Sequence, residues 1–151
     1  MKYKIPVSVL VLIHTPTLDI LLLERAQQPG LWQSVTGSQE AGETLLQTAQ
    51  REVAEETGLH PAAEDFIPWN LANNFRITLT PQRFAPGTRH NREHVFSLCL
   101  AEPVAITLAP DEHLAWRWLP WREAAGQCFS WSNRDAILML GLQGSPAPSV
   151  G

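Results

Sequence analysis

The groups in this chain that could do chemistry are mostly carboxylates, and they are gathered in one place. Between residues 37 and 58 stand Glu40, Glu43, Glu52, Glu55 and Glu56 against a single base, Arg51. The whole chain of 151 residues has 11 Lys and Arg and 15 Asp and Glu, a formal net charge of −4. That one segment therefore carries all of the net charge, and the remainder is neutral. Thr44–Thr57 has helical apolar spacing and is followed by Gly58, a natural residue for ending a helix. On such a helix Glu52, Glu55 and Glu56 fall within an arc of about 100° and span about 6 Å of the axis. Leu45, Leu46, Ala49 and Val53 form an apolar stripe beside them. Like charges at these separations repel, so helix stability gives no reason for the cluster. Spacing alone leaves two readings: a solvated acidic face, or a site for a hard divalent cation that takes carboxylates, water and substrate phosphates.

The surrounding residues separate the two. Gly37, Glu43, Arg51, Glu52, Val53, Glu55, Glu56, Gly58 and Leu59 occupy every defined position of the pattern G-x5-E-x7-R-E-U-x-E-E-x-G-U, where U is a bulky aliphatic residue. By this box the chain resembles the Nudix hydrolases, which split a pyrophosphate linkage with water and Mg²⁺ or Mn²⁺. The resemblance implies an α/β fold, an α/β/α sandwich with a mixed central sheet and a loop–helix–loop catalytic motif. It implies metal binding by the Gly37 carbonyl, Glu52 and Glu56, with Glu55 as a further ligand or the water-activating base. Arg51 would pair with Glu43 to hold the motif in shape, and Glu40 would support the site or serve as an optional ligand. Where many members have Pro-Gly, this chain has Val35-Thr36-Gly37, so Thr36 adds a hydroxyl that could meet substrate. Such a reaction builds negative charge on an already anionic phosphate chain. Divalent ions offset that charge and acidify bound water. The metal-free protein is expected to be inert.

Further segments carry a narrower resemblance: Lys4–Val11, Leu31–Ser38, Arg83–Gly87, Glu112–Ala115 with Trp118-Leu119, and Ser130–Arg134. Together they resemble the bacterial diphosphatases that remove pyrophosphate from dihydroneopterin triphosphate in folate synthesis. This implies a pterin triphosphate substrate and dihydroneopterin monophosphate as product, with Lys4 and Arg25 facing the phosphates and Glu112 completing the metal site from outside the box. Hydrolysis of (d)NTPs or other nucleoside polyphosphates is the alternative, and a non-catalytic nucleotide-sensing domain a further one. From the residues themselves, Arg76, Arg83, Arg89 and Arg92 form an acid-free run that is either a closing loop over phosphates or a solvated one. Phe75 and Trp131 are candidates for contacts with a planar ring, and Ser130 for a donor to substrate. His113 is read as structural, and Trp116 and Trp118 as core.

Elements must bring these residues together. Ile5–Ile13 and Ile20–Glu24 are β-rich runs joined by a turn-like segment, and Trp32–Thr36 is a short strand leading into a Gly-rich stretch. Further strands are expected at Phe66–Leu71, Phe75–Leu79, His94–Leu100 and Leu114–Leu119, with a loop over Thr80–Arg92. A last helix opens near Trp131 with Ser132 as its N-cap and Asp135 at the third position. Strands mixed with two or three helices mean a layered α/β domain over residues 1–143, followed by a frayed tail at 144–151. Two cysteines, Cys99 and Cys128, in no metal-ligand spacing argue against a zinc site or disulfide scaffold and for a cytoplasmic protein. The neutral remainder disfavours nucleic acid as a partner. No run approaches the length of a membrane span. The expected partner is a small-molecule pterin or nucleoside triphosphate, and the chain is a monomer or homodimer.

Overall fold

The computed structural model describes residues 2–144. The expected frayed tail falls almost entirely outside them. Strand β1 (Val7–His14) is the axis of the molecule, and nearly all of it is buried. It pairs in parallel with β6 (His90–Cys99) on one side, from Val7↔Arg92 to His14↔Cys99, and antiparallel with β4 (Val35–Ser38) on the other. Strand β5 (Phe66–Arg76) extends the sheet beyond β6. Strand β2 (Asp19–Arg25) meets β1 only at Ile20↔His14. It then diverges to pair with β7 (His113–Pro120) and with the two-residue β3 (Trp32–Gln33).

The continuous apolar run of β1 follows from its being covered on both faces. Val9, Val11 and Ile13 join Ala49 and Val53 of α1 (Leu45–Thr57) in one core layer. Leu10 and Leu12 join Ala124, Ala125, Ala136, Ile137 and Leu140 in the other, under α2 (Trp121–Gln127) and α3 (Trp131–Gln143). This is the expected sandwich with a mixed sheet. Helix α1 has both predicted ends. Thr44 and Gln47 form a reciprocal capping box, and Gly58 stops the helix at φ 75°, its N–H donating to the Ala54 carbonyl.

Four expectations are corrected. The strands foreseen at Phe66–Leu71 and Phe75–Leu79 are one strand ending at Arg76, interrupted by a register shift between Pro68 and Ala72 where Asn70 takes φ 54°. That bulge hides the continuity in sequence. Strand β6 begins at His90, inside the expected loop. Ser130, not Ser132, caps α3, because Ser132 is fully buried and donates to Glu93 instead. Trp116 is 37% exposed and not core, since it lies on β7, whose pairing in the described residues is with β2 alone, whereas Trp118 packs on the core.

Candidate active site

Helix α1 and the loop before it are clamped by a single guanidinium. Arg51 Nε donates to Glu43 Oε2 at 2.7 Å, and Nη2 donates to Glu43 Oε1 at 3.0 Å and to the Ser38 carbonyl at 2.9 Å. Nη1 donates to Glu52 Oε1 at 2.7 Å and to Glu55 Oε2 at 3.4 Å, and lies 3.6 Å from Glu40 Oε1. This bidentate pairing holds the Glu43 carboxyl down to about 2, helped by the Glu40 amide and the Thr48 hydroxyl. The Arg51–Glu43 pair expected from the resemblance is therefore present.

Glu52 and Glu56 stand one turn apart and are 8% and 1% exposed. Burial pushes the Glu52 carboxyl up. It pushes Glu56 well above the usual carboxylate range, reinforced by neighbouring Glu52 and Glu112 and partly offset by hydrogen bonding from the Thr36 backbone. Glu56 Oε1 is buried without a hydrogen-bond partner. His113 Nε2 lies 3.7 Å from it. The ring cannot neutralise Glu56, because burial and then the charge of Arg25 hold the imidazole down at about 4. Glu56, Glu112 and His113 each bring a ligand atom to within 4.8 Å of the other two. Buried carboxylates disfavoured as anions, one with an orphan oxygen, fit a divalent cation, which supplies the missing opposite charge. Glu55 is half-exposed on the same rim.

Gly37 faces the Glu52 carboxyl: a Cβ there would lie 2.0 Å from Glu52 Cδ, so the carboxyl holds this place only because residue 37 has no side chain.

These groups open into a cleft of about 980 Å³. Lys4, Arg25, Arg76 and Arg83 line it, whereas Arg89 and Arg92 do not. Only half of the four-arginine run thus reaches the site. Burial and then neighbouring Arg83 lower the Lys4 ammonium from its ordinary value. Arg25 is anchored by Gln28 and Gln33 through Nε and Nη1, the latter contact at 2.9 Å. Phe75, Ser130 and the 46%-exposed Trp131 line the cleft as well. Thr36 lines it, but its hydroxyl donates to the Val9 carbonyl at 2.9 Å and is committed to the sheet.

Sequence reasoning passed over His113, Asn91, Glu93 and Asn133, all of which line the same cleft. His113 follows Glu112 at the start of β7. Asn91 and Glu93 are polar residues on one face of a strand whose next members, Val95 and Phe96, are core, and that mismatch was the available signal. Among the described residues, no helix is long and apolar enough to cross a membrane.

A mixed sheet between helical layers, with a carboxylate-bearing helix clamped by arginine at one edge, defines a class: the chain belongs to the NUDIX domain family, whose model matches residues 4–140. It is 45% identical over 139 residues to the dihydroneopterin triphosphate diphosphatase of Escherichia coli K12, covering 89% of this chain and 91% of that one. With the enzyme of the same name from Haemophilus influenzae it shares 36% over 141 residues, covering 91% and 88%. The structure of the E. coli dihydroneopterin triphosphate pyrophosphohydrolase superposes with a TM-score of 0.88 at 41% identity, over 95% of this chain and all of that one.

Proposed function

We propose that this protein is a metal-dependent diphosphatase that hydrolyses dihydroneopterin triphosphate to dihydroneopterin monophosphate and pyrophosphate. The observation that carries the reading is the 45% identity to enzymes of that name across about nine-tenths of both chains. The cleft supports it, lined by Glu52, Glu55, Glu56 and Glu112 together with Lys4, Arg25, Arg76 and Arg83.

In this reading Glu52, Glu56 and Glu112, with the Gly37 carbonyl, hold Mg²⁺ or Mn²⁺. When bound, the metal offsets phosphate charge and acidifies a water molecule. Arg51 is a positioning residue, since it touches the carboxylates and not the substrate. Lys4 and Arg25 orient the phosphate oxygens, with Arg83 beside them. The half-exposed Glu55 carboxylate accepts the proton of the attacking water, and its exposure lets that proton leave to solvent. Neutral His113 packs against Glu56 and adds no charge to compete with the cation.

The test is a substrate panel with Mg²⁺ and with chelator. Pyrophosphate release from dihydroneopterin triphosphate, lost on chelation, is the expected result. No turnover of that compound while (d)NTPs or dinucleoside polyphosphates turn over would overturn the assignment, since only the ring pocket distinguishes substrates that share phosphates.

A further inference from the structure

Strand β6 carries a buried acid that the metal chemistry does not use. Glu93 is 5% exposed, lines the cleft, and has no basic side chain in contact among the described residues. Its one hydrogen bond is from the Ser132 hydroxyl to Oε1 at 2.8 Å. Oε2 has no protein partner. Burial holds this carboxyl up at about 7, partly offset by the Ser132 hydrogen bond. Two residues along the same strand, and so on the same face, Asn91 is 6% exposed and lines the same cleft. Its amide nitrogen donates to Ser8 Oγ, while its carbonyl Oδ1 is buried without a partner. Among the described residues the cleft wall here thus presents two oxygen acceptors, Glu93 Oε2 and Asn91 Oδ1, that no protein donor reaches.

Register gives the span to the metal site. Ser8 is opposite Ser38 on β4 and opposite Glu93 on β6. The Gly37-Ser38 end and Glu93 are therefore two strand spacings apart, about 10 Å. Phe75, opposite Asn91 on β5, and exposed Trp131 flank this end with aromatic surface. A planar ring between them would sit with its phosphate chain directed at Glu52 and Glu56.

We propose that Glu93, with Asn91 beside it, reads the ring of the substrate by accepting hydrogen bonds from adjacent N–H groups of a 2-amino-4-oxopyrimidine edge. An ionised carboxylate is an acceptor only, and two parallel N–H donors match its two oxygens as a guanidinium does. Donation from the ring favours the ionised form that burial disfavours, so the cost of burying Glu93 is recovered only with a ring of this class. A 6-amino ring with a bare ring nitrogen meets the carboxylate with an unpaired acceptor, which a buried site rejects strongly. The proposal rests on the substrate reading above for its choice of ring, since a pterin and a guanine share this edge, but its test does not need pterin turnover.

The experiment is calorimetric binding of dGTP and of dITP, which lacks only the 2-amino group, to the full chain with Ca²⁺ as the cation. Wild type is expected to bind dGTP at least about tenfold more tightly. Glu93→Gln should bring the ratio close to one, because its amide presents a donor where the ring also has donors. Ser132→Ala, which removes the internal hydrogen bond and leaves the carboxylate, should keep the preference. Equal binding of the two by wild type, or a preference that survives in Glu93→Gln, overturns the proposal. Equal wild-type affinities overturn it even if Glu93→Gln does not fold. A preference lost in Glu93→Gln, together with no hydrolysis of dihydroneopterin triphosphate by wild type, leaves the ring reading standing and removes only the pterin assignment.

Discussion

Replacing Gly37 by alanine keeps the backbone carbonyl and displaces one carboxylate side chain, that of Glu52. The φ of Gly37 is not in the left-handed region, so alanine suits the backbone. The added Cβ would lie 2.0, 2.3 and 2.4 Å from Cδ, Oε1 and Oε2 of Glu52, where ordinary contact begins at 3.4 Å. The carboxyl must therefore retreat by at least about 1.4 Å. It is the far end of a flexible side chain, so the fold yields easily and the loss of stability should be below about 1 kcal/mol, or about 2–4 °C in Tm. Chemistry has no such slack. The 2.7 Å contact with Arg51 breaks and the carboxylate leaves its neighbours, and a displacement of about 1 Å at a reacting centre costs on the order of 100-fold. Pyrophosphate release should fall about 100-fold in kcat, with a raised metal requirement, while thermal unfolding barely moves. A Gly37→Ala enzyme within threefold of wild type at ordinary metal concentration would refute the placement of Glu52 as a ligand. So would an activity loss matched by a collapse in Tm.

Glu56→Gln should lower kcat on the order of 10³-fold, and it should raise the Tm of the metal-free protein at pH 7–8. Burial raises the folded carboxyl above its unfolded value, so wild-type stability falls as pH rises from about 4 toward that folded value, and the variant escapes the loss. A scan of Tm against pH with chelator checks this; a wild type that is the more stable form at pH 8 contradicts it. Glu43→Gln should destabilise the fold by about 1–3 kcal/mol at pH 7. Here the folded carboxyl is held down to about 2, so the difference between variant and wild type should shrink as pH falls through the ordinary carboxylate range and vanish near that value. Urea titrations at pH 7 and pH 3 measure it, and an undiminished difference at low pH counts against the pair. Trp131→Ala should raise KM about 2–10-fold with little change in kcat or Tm, since the ring is 46% exposed and available to stack; an unchanged KM would remove Trp131 from the ring site.

The box was readable in sequence because its parts lie within one helix and the loop before it. Turn periodicity brings Glu52, Glu55 and Glu56 together without any knowledge of the sheet, and it puts Arg51 one turn from Glu55, whereas its pairing with Glu43 in the preceding loop came from the resemblance. Glu112 was accessible only through resemblance, being 56 residues from its neighbour Glu56. Asn91 and Glu93 offered only the signal of polar residues in an apolar strand; the parallel pairing of β6 with β1 decides which face they share with Ser8, and the sequence contains no local cue for that register. Helix α2 escaped notice for a different reason. It has seven residues, begins after Pro120 without a side-chain cap, and is too short to show a period. Ser130 and Ser132 are chemically equal as caps, and the buried partner Glu93 decides between them.

The segment that holds the net charge also holds most of what would act on phosphate, and it is nearly continuous along the chain. The wall proposed to face the ring is stitched from β5, β6 and the start of α3, far away in sequence. Cutting and choosing are thus written in different stretches of the gene. Mutation can wander through the second without touching the first, so a copy of such a gene can acquire a new diet while keeping its teeth.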